Sequence, residues 1–128
     1  MAQSTPHAPL AILVVDDEVI VRMDLADSMQ RAGFDTYEAG SADEAIRILE
    51  AHPEIGVLFT DIDMPGPMNG VMLAHYVHDR WPPVRIVVVS GHVEATVAEL
   101  PDDAVFIGKP FQDSELNRAI RTLDRRPH

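Results

Sequence analysis

The 128-residue chain has no cysteine, which excludes disulfide bonds, a thiol nucleophile and a zinc-thiolate site. It has no apolar run that approaches the roughly 20 residues needed to span a bilayer. Its first ten residues, MAQSTPHAPL, lack the basic segment and long apolar stretch that mark a secretory signal peptide. These absences suit the cytoplasm, which is the location we expect.

Basic residues are scarce, since the chain has 10 of them against 21 acidic residues and a net charge of −11. A negative charge of this size opposes binding to the phosphates of nucleic acid, so we expect no nucleic-acid partner and no membrane partner. All the basic residues except Lys109 are arginines, and this single lysine makes its position informative.

The length and the apolar content of 46% indicate one globular domain with its own core. Residues 1–9 contain Ser, Thr and two Pro and few apolar residues, so we expect them to form a flexible leader. The domain itself is expected to cover residues 10–124, followed by a short tail at 125–128.

Strand and helix patterns alternate along the chain. Apolar or alternating runs predict five strands, at Ala11–Val15, Phe34–Ala39, Ile55–Thr60, Val84–Ser90 and Ala104–Gly108. Helical periodicity predicts five helices, beginning at Glu18, after Ser41, near Gly70, at Val93 and at Asp113. The fourth, Val93–Leu100, is short. This alternation is typical of an α/β fold with a doubly wound parallel sheet.

Polar residues follow four of these strands. Asp16 and Asp17 follow the first strand, Asp61 the third, Ser90 ends the fourth and Lys109 follows the fifth. In an open parallel sheet the carboxyl ends of the strands meet at one edge, where ligands bind. Three carboxylates at one edge repel one another and call for a cation, and an all-oxygen ligand set favours Mg²⁺.

Phosphoryl transfer uses the groups that this edge supplies. The Asp61 carboxylate can act as a nucleophile and form an acyl phosphate, while the Lys109 ammonium can neutralise the transferring oxygens. The Ser90 hydroxyl can donate a hydrogen bond to a phosphoryl oxygen, and Gly91 leaves room beside it.

Four segments resemble the motifs of receiver domains of two-component response regulators. They are VVDDE, FTDIDMPGPMNG, VVVSGH and FIGKPF, and the resemblance covers residues 10–124. It implies a five-stranded, doubly wound parallel sheet of the flavodoxin-like or CheY-like type, with strand order 2-1-3-4-5 and five helices. The chain as given is expected to be a stand-alone, single-domain receiver.

The resemblance also implies a role for each site residue. Asp61 is the expected phospho-acceptor, and the expected Mg²⁺ ligands are Asp17, Asp61 and the backbone carbonyl of Asp63, with Asp16 acting mainly through water. Lys109, Ser90 and Gly91 are expected to contact the phosphoryl group, and Ser90 and Phe106 to act as the switch pair. The peptide bond before Pro110 is expected to be cis.

The function implied is that of a signalling switch. A sensor histidine kinase or a phosphotransfer protein would donate the phosphoryl group, and the surface of the fourth helix, fifth strand and fifth helix would then change its affinity for a downstream protein. That partner is unknown, and a second copy of the chain is one candidate. No enzyme activity is expected beyond self-phosphorylation and slow self-dephosphorylation.

Three alternatives stay open from the residues themselves. Asp61 and Asp63 form a DxD pair like that of haloacid-dehalogenase-type phosphatases, although that family carries the pair on its first core strand and needs a longer chain. The chain could also be the receiver part of a transcriptional regulator, or a module that binds its partner without phosphorylation. The crowded carboxylates argue against the last, because they cost stability unless a cation is used.

Overall fold

Five parallel strands form one sheet in the computed structural model, which describes residues 11–91 and 99–124. They are β1 (Ala11–Val15), β2 (Asp35–Ala39), β3 (Ile55–Asp61), β4 (Arg85–Ser90) and β5 (Val105–Gly108). Their order across the sheet is β2-β1-β3-β4-β5. The predicted strand order and the doubly wound α/β class are therefore confirmed.

Four helices connect or follow the strands in the described residues. They are α1 (Val19–Arg31), α2 (Ala42–Ala51), α3 (Gly70–Arg80) and a C-terminal helix (Asp113–Asp124). Most of the predicted fourth helix, together with the leader at 1–9 and the tail at 125–128, lies outside the described residues. Within the described part of the chain, no helix is both long enough and apolar enough to cross a membrane.

Side-chain caps fix where α2 and α3 begin. Ser41 accepts a hydrogen bond from the Glu44 amide at 3.2 Å, as the sequence predicts, and the Glu44 carboxylate accepts one from the Gly40 amide at 2.7 Å. Asn69, whose role the sequence analysis missed, accepts a bond from the Met72 amide at 3.0 Å. The second cap places the first turn of α3 directly after the loop that follows β3.

The helices cover the two faces of the sheet. Residues of α2 and α3 pack with Leu13, Leu58 and Val88 on one face. Residues of α1 and the C-terminal helix pack with Phe59 and Val87 on the other. Because β1 and β3 are buried on both faces, they read as nearly continuous apolar runs, and this is why their positions were predictable.

The strand register brings the carboxyl ends of β3, β4 and β5 level with one another. Asp61 is paired with Val89 in β4, and Ser90 is paired with Gly108 in β5. Backbone pairing between the strands therefore brings the polar residues that follow them to the same edge of the sheet.

Gly70, the first residue of α3, lies against the backbone at the end of β3. Its amide donates to the Ile62 carbonyl at 3.1 Å. A Cβ at this position would lie 2.2 Å from the Asp61 carbonyl oxygen and 2.6 Å from Ile62 Cα. Only glycine allows this close approach, so Gly70 helps to hold the backbone on which Asp61 sits.

We predict that Gly70→Ala destabilises the domain by about 1–3 kcal/mol, because backbone must move to admit the methyl group. Gly91→Ala is the matched control, since a Cβ there meets no atom of the described residues within 4 Å. Urea unfolding of both variants measures the difference. Equal free energies of unfolding for the two variants would show that the close contact at Gly70 does not restrict the residue allowed there.

Candidate functional site

The turn after β1 is held by three hydrogen bonds of Asp16. Its amide donates to the Ala39 carbonyl at 3.1 Å, and its side-chain Oδ1 accepts from the Glu18 amide at 2.9 Å. The backbone carbonyl of Asp16 accepts from Arg22 at 3.0 Å. Asp16 is only 2% exposed, whereas the neighbouring Asp17 is exposed. The two acids of the pair therefore have different surroundings, with the second one facing solvent.

Asp61 ends β3 with its carboxylate almost fully buried, at 5% exposure. Oδ2 accepts a hydrogen bond from the Lys109 ammonium at 2.9 Å, and Oδ1 accepts one from the Asp63 amide at 3.1 Å. Asp63 itself is exposed, so its backbone contributes to the site more directly than its carboxylate. Both oxygens of Asp61 are thus oriented by donors from two different segments.

Lys109 reaches Asp61 from the end of β5. Its backbone amide donates to the Ser90 carbonyl at 2.9 Å, which continues the pairing of β4 with β5. The Lys109–Pro110 peptide bond is cis, the form expected from the sequence. The lysine side chain remains 37% exposed, so the ammonium stands between the buried carboxylate and solvent.

The charges at this edge act on one another. Burial raises the pKa of the Asp16 carboxyl, and so does the negative charge of Asp61, while the Glu18 amide acts in the opposite direction. Burial lowers the pKa of Lys109, but its hydrogen bond to Asp61 and the negative charges of Asp61 and Asp16 outweigh that effect and raise it. The lysine is therefore held in its charged form, and the Asp16 charge is only partly compensated.

The oxygen ligands at this edge suit Mg²⁺. Among residues 11–91 and 99–124, no three acidic or histidine side chains converge closely enough to enclose a metal by themselves. Mg²⁺ needs few protein ligands, because it keeps several waters and binds through one or two carboxylates. Buried Asp16 and Asp61, with exposed Asp17 next to Asp16 in the chain, supply hard oxygen atoms and negative charge that is only partly compensated, as such an ion requires.

Ser90 and Phe106 lie on one face of the sheet. Val88, two residues before Ser90, is paired with Phe106, and side chains two residues apart in a strand point the same way. Ser90 is fully buried and Phe106 is partly buried. Gly91, directly after Ser90, is exposed. The two predicted switch residues thus belong to adjacent strands at the same end of the sheet.

A depression of about 530 Å³ opens beside the carboxylates. Asp16, Asp61 and Lys109 line its polar part, and most of the remaining wall is apolar: Val21, Leu25, Phe59, Val89, Pro110 and Phe111. The site is therefore reachable from solvent between α1 and the start of the C-terminal helix.

The guanidinium of Arg22 also contributes to this edge, and no sequence motif predicted it. It bonds the Asp16 carbonyl and also donates through Nε to Glu38 at the end of β2, at 3.1 Å. β2 contributed no residue to the predicted site, since its end offers only Glu38, Ala39 and Gly40. Nothing in the local pattern signals that α1 approaches β2 at this point.

Asp16 generates a prediction about pH. A raised pKa in the folded state means that the charged carboxylate is less favourable there than in the unfolded chain. The contribution of this carboxyl to stability is therefore fully present below its unfolded pKa of about 3.9, and it is lost as the pH rises through its folded pKa. We predict that Asp16→Asn, which keeps the Oδ1 acceptor for the Glu18 amide, stabilises the metal-free domain at neutral pH. The gain should disappear below about pH 4.

Thermal unfolding in chelator across this pH range measures the effect. Asp24→Asn removes one charge from an exposed position on α1 and should change stability little at either pH. An Asp16→Asn variant less stable than wild type at pH 7 would contradict the prediction.

Comparison with known proteins agrees with this geometry. The family model described as response regulator receiver domain matches residues 12–121. Sensor kinase CckA of Brucella abortus is 33% identical over 116 residues, which cover 88% of this chain and 12% of the kinase. The transcriptional regulatory protein PdtaR of Mycobacterium tuberculosis is 31% identical over 117 residues, covering 88% of this chain and 55% of that protein.

Solved structures share the fold. A response regulator receiver protein from Sinorhizobium medicae has a TM-score of 0.82 and 29% identity, covering 90% of this chain and 94% of that one. The chemotaxis protein CheY4 of Vibrio cholerae has a TM-score of 0.83 at 21% identity, covering 91% of this chain and 99% of that one. The curated relatives are longer, since the match spans 12% to 55% of the lengths of the two proteins named above. The chain belongs to the response regulator receiver domain family.

Proposed function

We propose that this domain accepts a phosphoryl group on Asp61 in the presence of Mg²⁺ and transmits that event to a partner protein. One observation carries the proposal: the Asp61 carboxylate is buried at the end of β3 with its Oδ2 held by the only lysine of the chain. A carboxylate fixed between an ammonium and a backbone amide is oriented for attack on phosphorus.

The transfer we propose starts from a phosphohistidine of a sensor histidine kinase or a phosphotransfer protein. An oxygen of Asp61 forms a bond to phosphorus as the bond from phosphorus to the imidazole nitrogen breaks, and the imidazole leaves with the electron pair. Lys109 stays within reach of the transferred oxygens, because its ammonium already lies 2.9 Å from the carboxylate. The acyl phosphate is lost later by hydrolysis, the only further reaction we assign to the domain.

The residues that would hold Mg²⁺ are Asp17, Asp61 and the backbone carbonyl of Asp63, with Asp16 acting mainly through water. When bound, the ion would neutralise charge that develops on the phosphoryl oxygens. Asp16 holds the turn through its bonds to Glu18 and Ala39, and Asp17, the next residue, is exposed to solvent.

The response to phosphorylation, we propose, begins at Ser90. Its hydroxyl would move toward the phosphoryl group, with Gly91 leaving room, and the partly buried ring of Phe106 would follow into the space on the same face of the sheet. The surface of β5, the C-terminal helix and the segment between β4 and β5 would then change its affinity for a protein partner. A difference of a few kcal/mol between the two forms is enough for such a switch.

The acidic surface supports a protein partner over nucleic acid or a membrane, and that partner could be a second copy of the chain. We place the working domain at residues 10–124, in the cytoplasm where such kinases present their phosphohistidine. The comparisons give no support to the phosphatase hypothesis, because the matched family is a receiver family.

We predict that Asp61→Asn abolishes labelling by acetyl phosphate in the presence of Mg²⁺, because the amide cannot form the acyl phosphate. Intact-mass spectrometry reports the gain of one phosphoryl group in the wild type. Asp63→Asn is the matched control and should still be labelled, since its exposed carboxylate has no part in the proposed bond formation.

Two outcomes would argue against the assignment. Equal labelling of Asp61→Asn would place the acceptor at another residue. Rapid release of phosphate from the wild type without a detectable adduct would revive the phosphatase hypothesis.

We also predict that Asp17→Asn weakens Mg²⁺ binding by at least about tenfold, the size expected when a ligand is altered. Calorimetric titration measures the affinity directly. Asp24→Asn removes the same charge from exposed α1 and should change the affinity far less, because screened charges at a distance contribute little. If both variants lost the same Mg²⁺ affinity, Asp17 would act only through its negative charge and not as a ligand.

A further inference from the structure

The Arg22 side chain joins the turn after β1 to the end of β2. Its Nη1 donates to the Asp16 carbonyl at 3.0 Å, and its Nε donates to Glu38 Oε1 at 3.1 Å. The side chain is only 17% exposed although it carries a charge. A guanidinium can satisfy two acceptors at once because its donors form a rigid planar fork. Arg22 therefore fixes two backbone segments relative to each other.

Gly40 makes room for this arrangement. A Cβ on Gly40 would lie 3.0 Å from Nη1 of Arg22, closer than an ordinary contact. The Gly40 amide is itself held by the Glu44 carboxylate in the first turn of α2, at 2.7 Å. The start of α2 thus holds Gly40 in place, and the missing side chain of Gly40 leaves room for the Arg22 guanidinium.

The bond to Arg22 differs from the other two bonds of Asp16. The Ala39 carbonyl is part of the sheet pairing, and the Glu18 amide belongs to the same turn. Arg22 supplies the one bond that comes from a side chain outside the turn, so a single substitution can remove it. Without it, the carbonyl between the two acids would have to turn toward water, and Asp17 would turn with it.

We propose that Arg22 is a positioning residue for the Mg²⁺ site, acting through the backbone of the Asp16–Asp17 turn. The inference rests on the function proposed above. Arg22 makes no hydrogen bond to Asp61. It acts by holding the acidic turn from which Asp17 would reach the ion.

The sign of the effect separates this role from simple electrostatics. Arg22 is a positive charge near a cation site, so removing it should tighten Mg²⁺ binding if charge alone matters. Removing a positioning residue should weaken Mg²⁺ binding instead. The two explanations therefore predict opposite changes in the dissociation constant for Arg22→Ala.

The experiment measures Mg²⁺ dissociation constants by calorimetry for wild type, Arg22→Ala, Arg22→Lys and Arg31→Ala. Arg31 lies on the same helix, where it pairs only with exposed Asp27 among the described residues, so its replacement is the charge-matched control. We expect the Mg²⁺ dissociation constant to rise about tenfold for Arg22→Ala. This is the lower end of the range for replacing a residue that orients a metal ligand. Arg22→Lys should give a smaller rise, because lysine keeps the charge but lacks the fork.

A second readout is the rate of labelling by acetyl phosphate as a function of Mg²⁺ concentration. For Arg22→Ala, the Mg²⁺ concentration that gives half the maximal rate should rise, while the rate at saturating Mg²⁺ should stay close to wild type. Thermal unfolding in chelator shows how much of each variant is folded. If Arg22→Ala does not fold, the Mg²⁺ affinity of Arg22→Lys is compared with that of the wild type instead.

Tighter or unchanged Mg²⁺ binding in folded Arg22→Ala or Arg22→Lys would overturn the inference, and so would a loss of stability without a change in affinity. These outcomes leave the proposed function intact, because wild-type binding and labelling are measured in the same series. A wild-type protein that neither binds Mg²⁺ nor accepts a phosphoryl group would overturn both.

Discussion

The burial of two carboxylates at one edge of the sheet is the constraint on which this fold depends. Asp16 and Asp61 are 2% and 5% exposed, and a buried charge is costly unless it is paired or hydrogen-bonded. The Lys109 ammonium and two backbone amides offset part of that cost. Burial still raises the pKa of Asp16, so these neighbours compensate its charge only in part. A domain that keeps such an arrangement gives up stability for chemistry, as functional sites commonly do.

The fold supports these charges with rigid neighbours. The first and third strands are buried along nearly their whole length, so the backbone that carries the acids cannot relax toward water. The third helix begins against the Asp61 carbonyl through Gly70, and the fifth strand delivers Lys109 through its pairing with the fourth. Each contact constrains the backbone next to a charged group. The geometry of the site is therefore a consequence of core packing and strand register.

Much of this was predictable because strong local patterns carry it. The buried strands are continuous apolar runs, and the polar residues at their ends stand out against them, so the positions of Asp61 and Lys109 follow from the pattern alone. Features that depend on how distant segments pack together could not be predicted in this way. Val21 follows the apolar spacing of the first helix, yet it is 38% exposed because that part of the helix lies at the rim of the site. Arg22 was missed for the related reason that its partners lie on another strand and in the turn before its own helix.

Strand alternation places Asp61 on one face of the sheet and Ser90 and Phe106 on the other. Asp61 is paired with Val89, and Val89 packs in the core on the face covered by the first and C-terminal helices. Asp61 therefore lies on that face. Ser90 and Phe106 share the opposite face with Val88, which packs with the second and third helices. In the function proposed above, a phosphoryl group on Asp61 would be detected across the edge of the sheet, where Ser90 ends its strand and its hydroxyl would turn toward the phosphoryl group. Under that proposal, Ser90 would be the residue through which an event on one face reaches the ring of Phe106 on the other. Because its side chain is fully buried, any such turn must be accompanied by repacking of its neighbours.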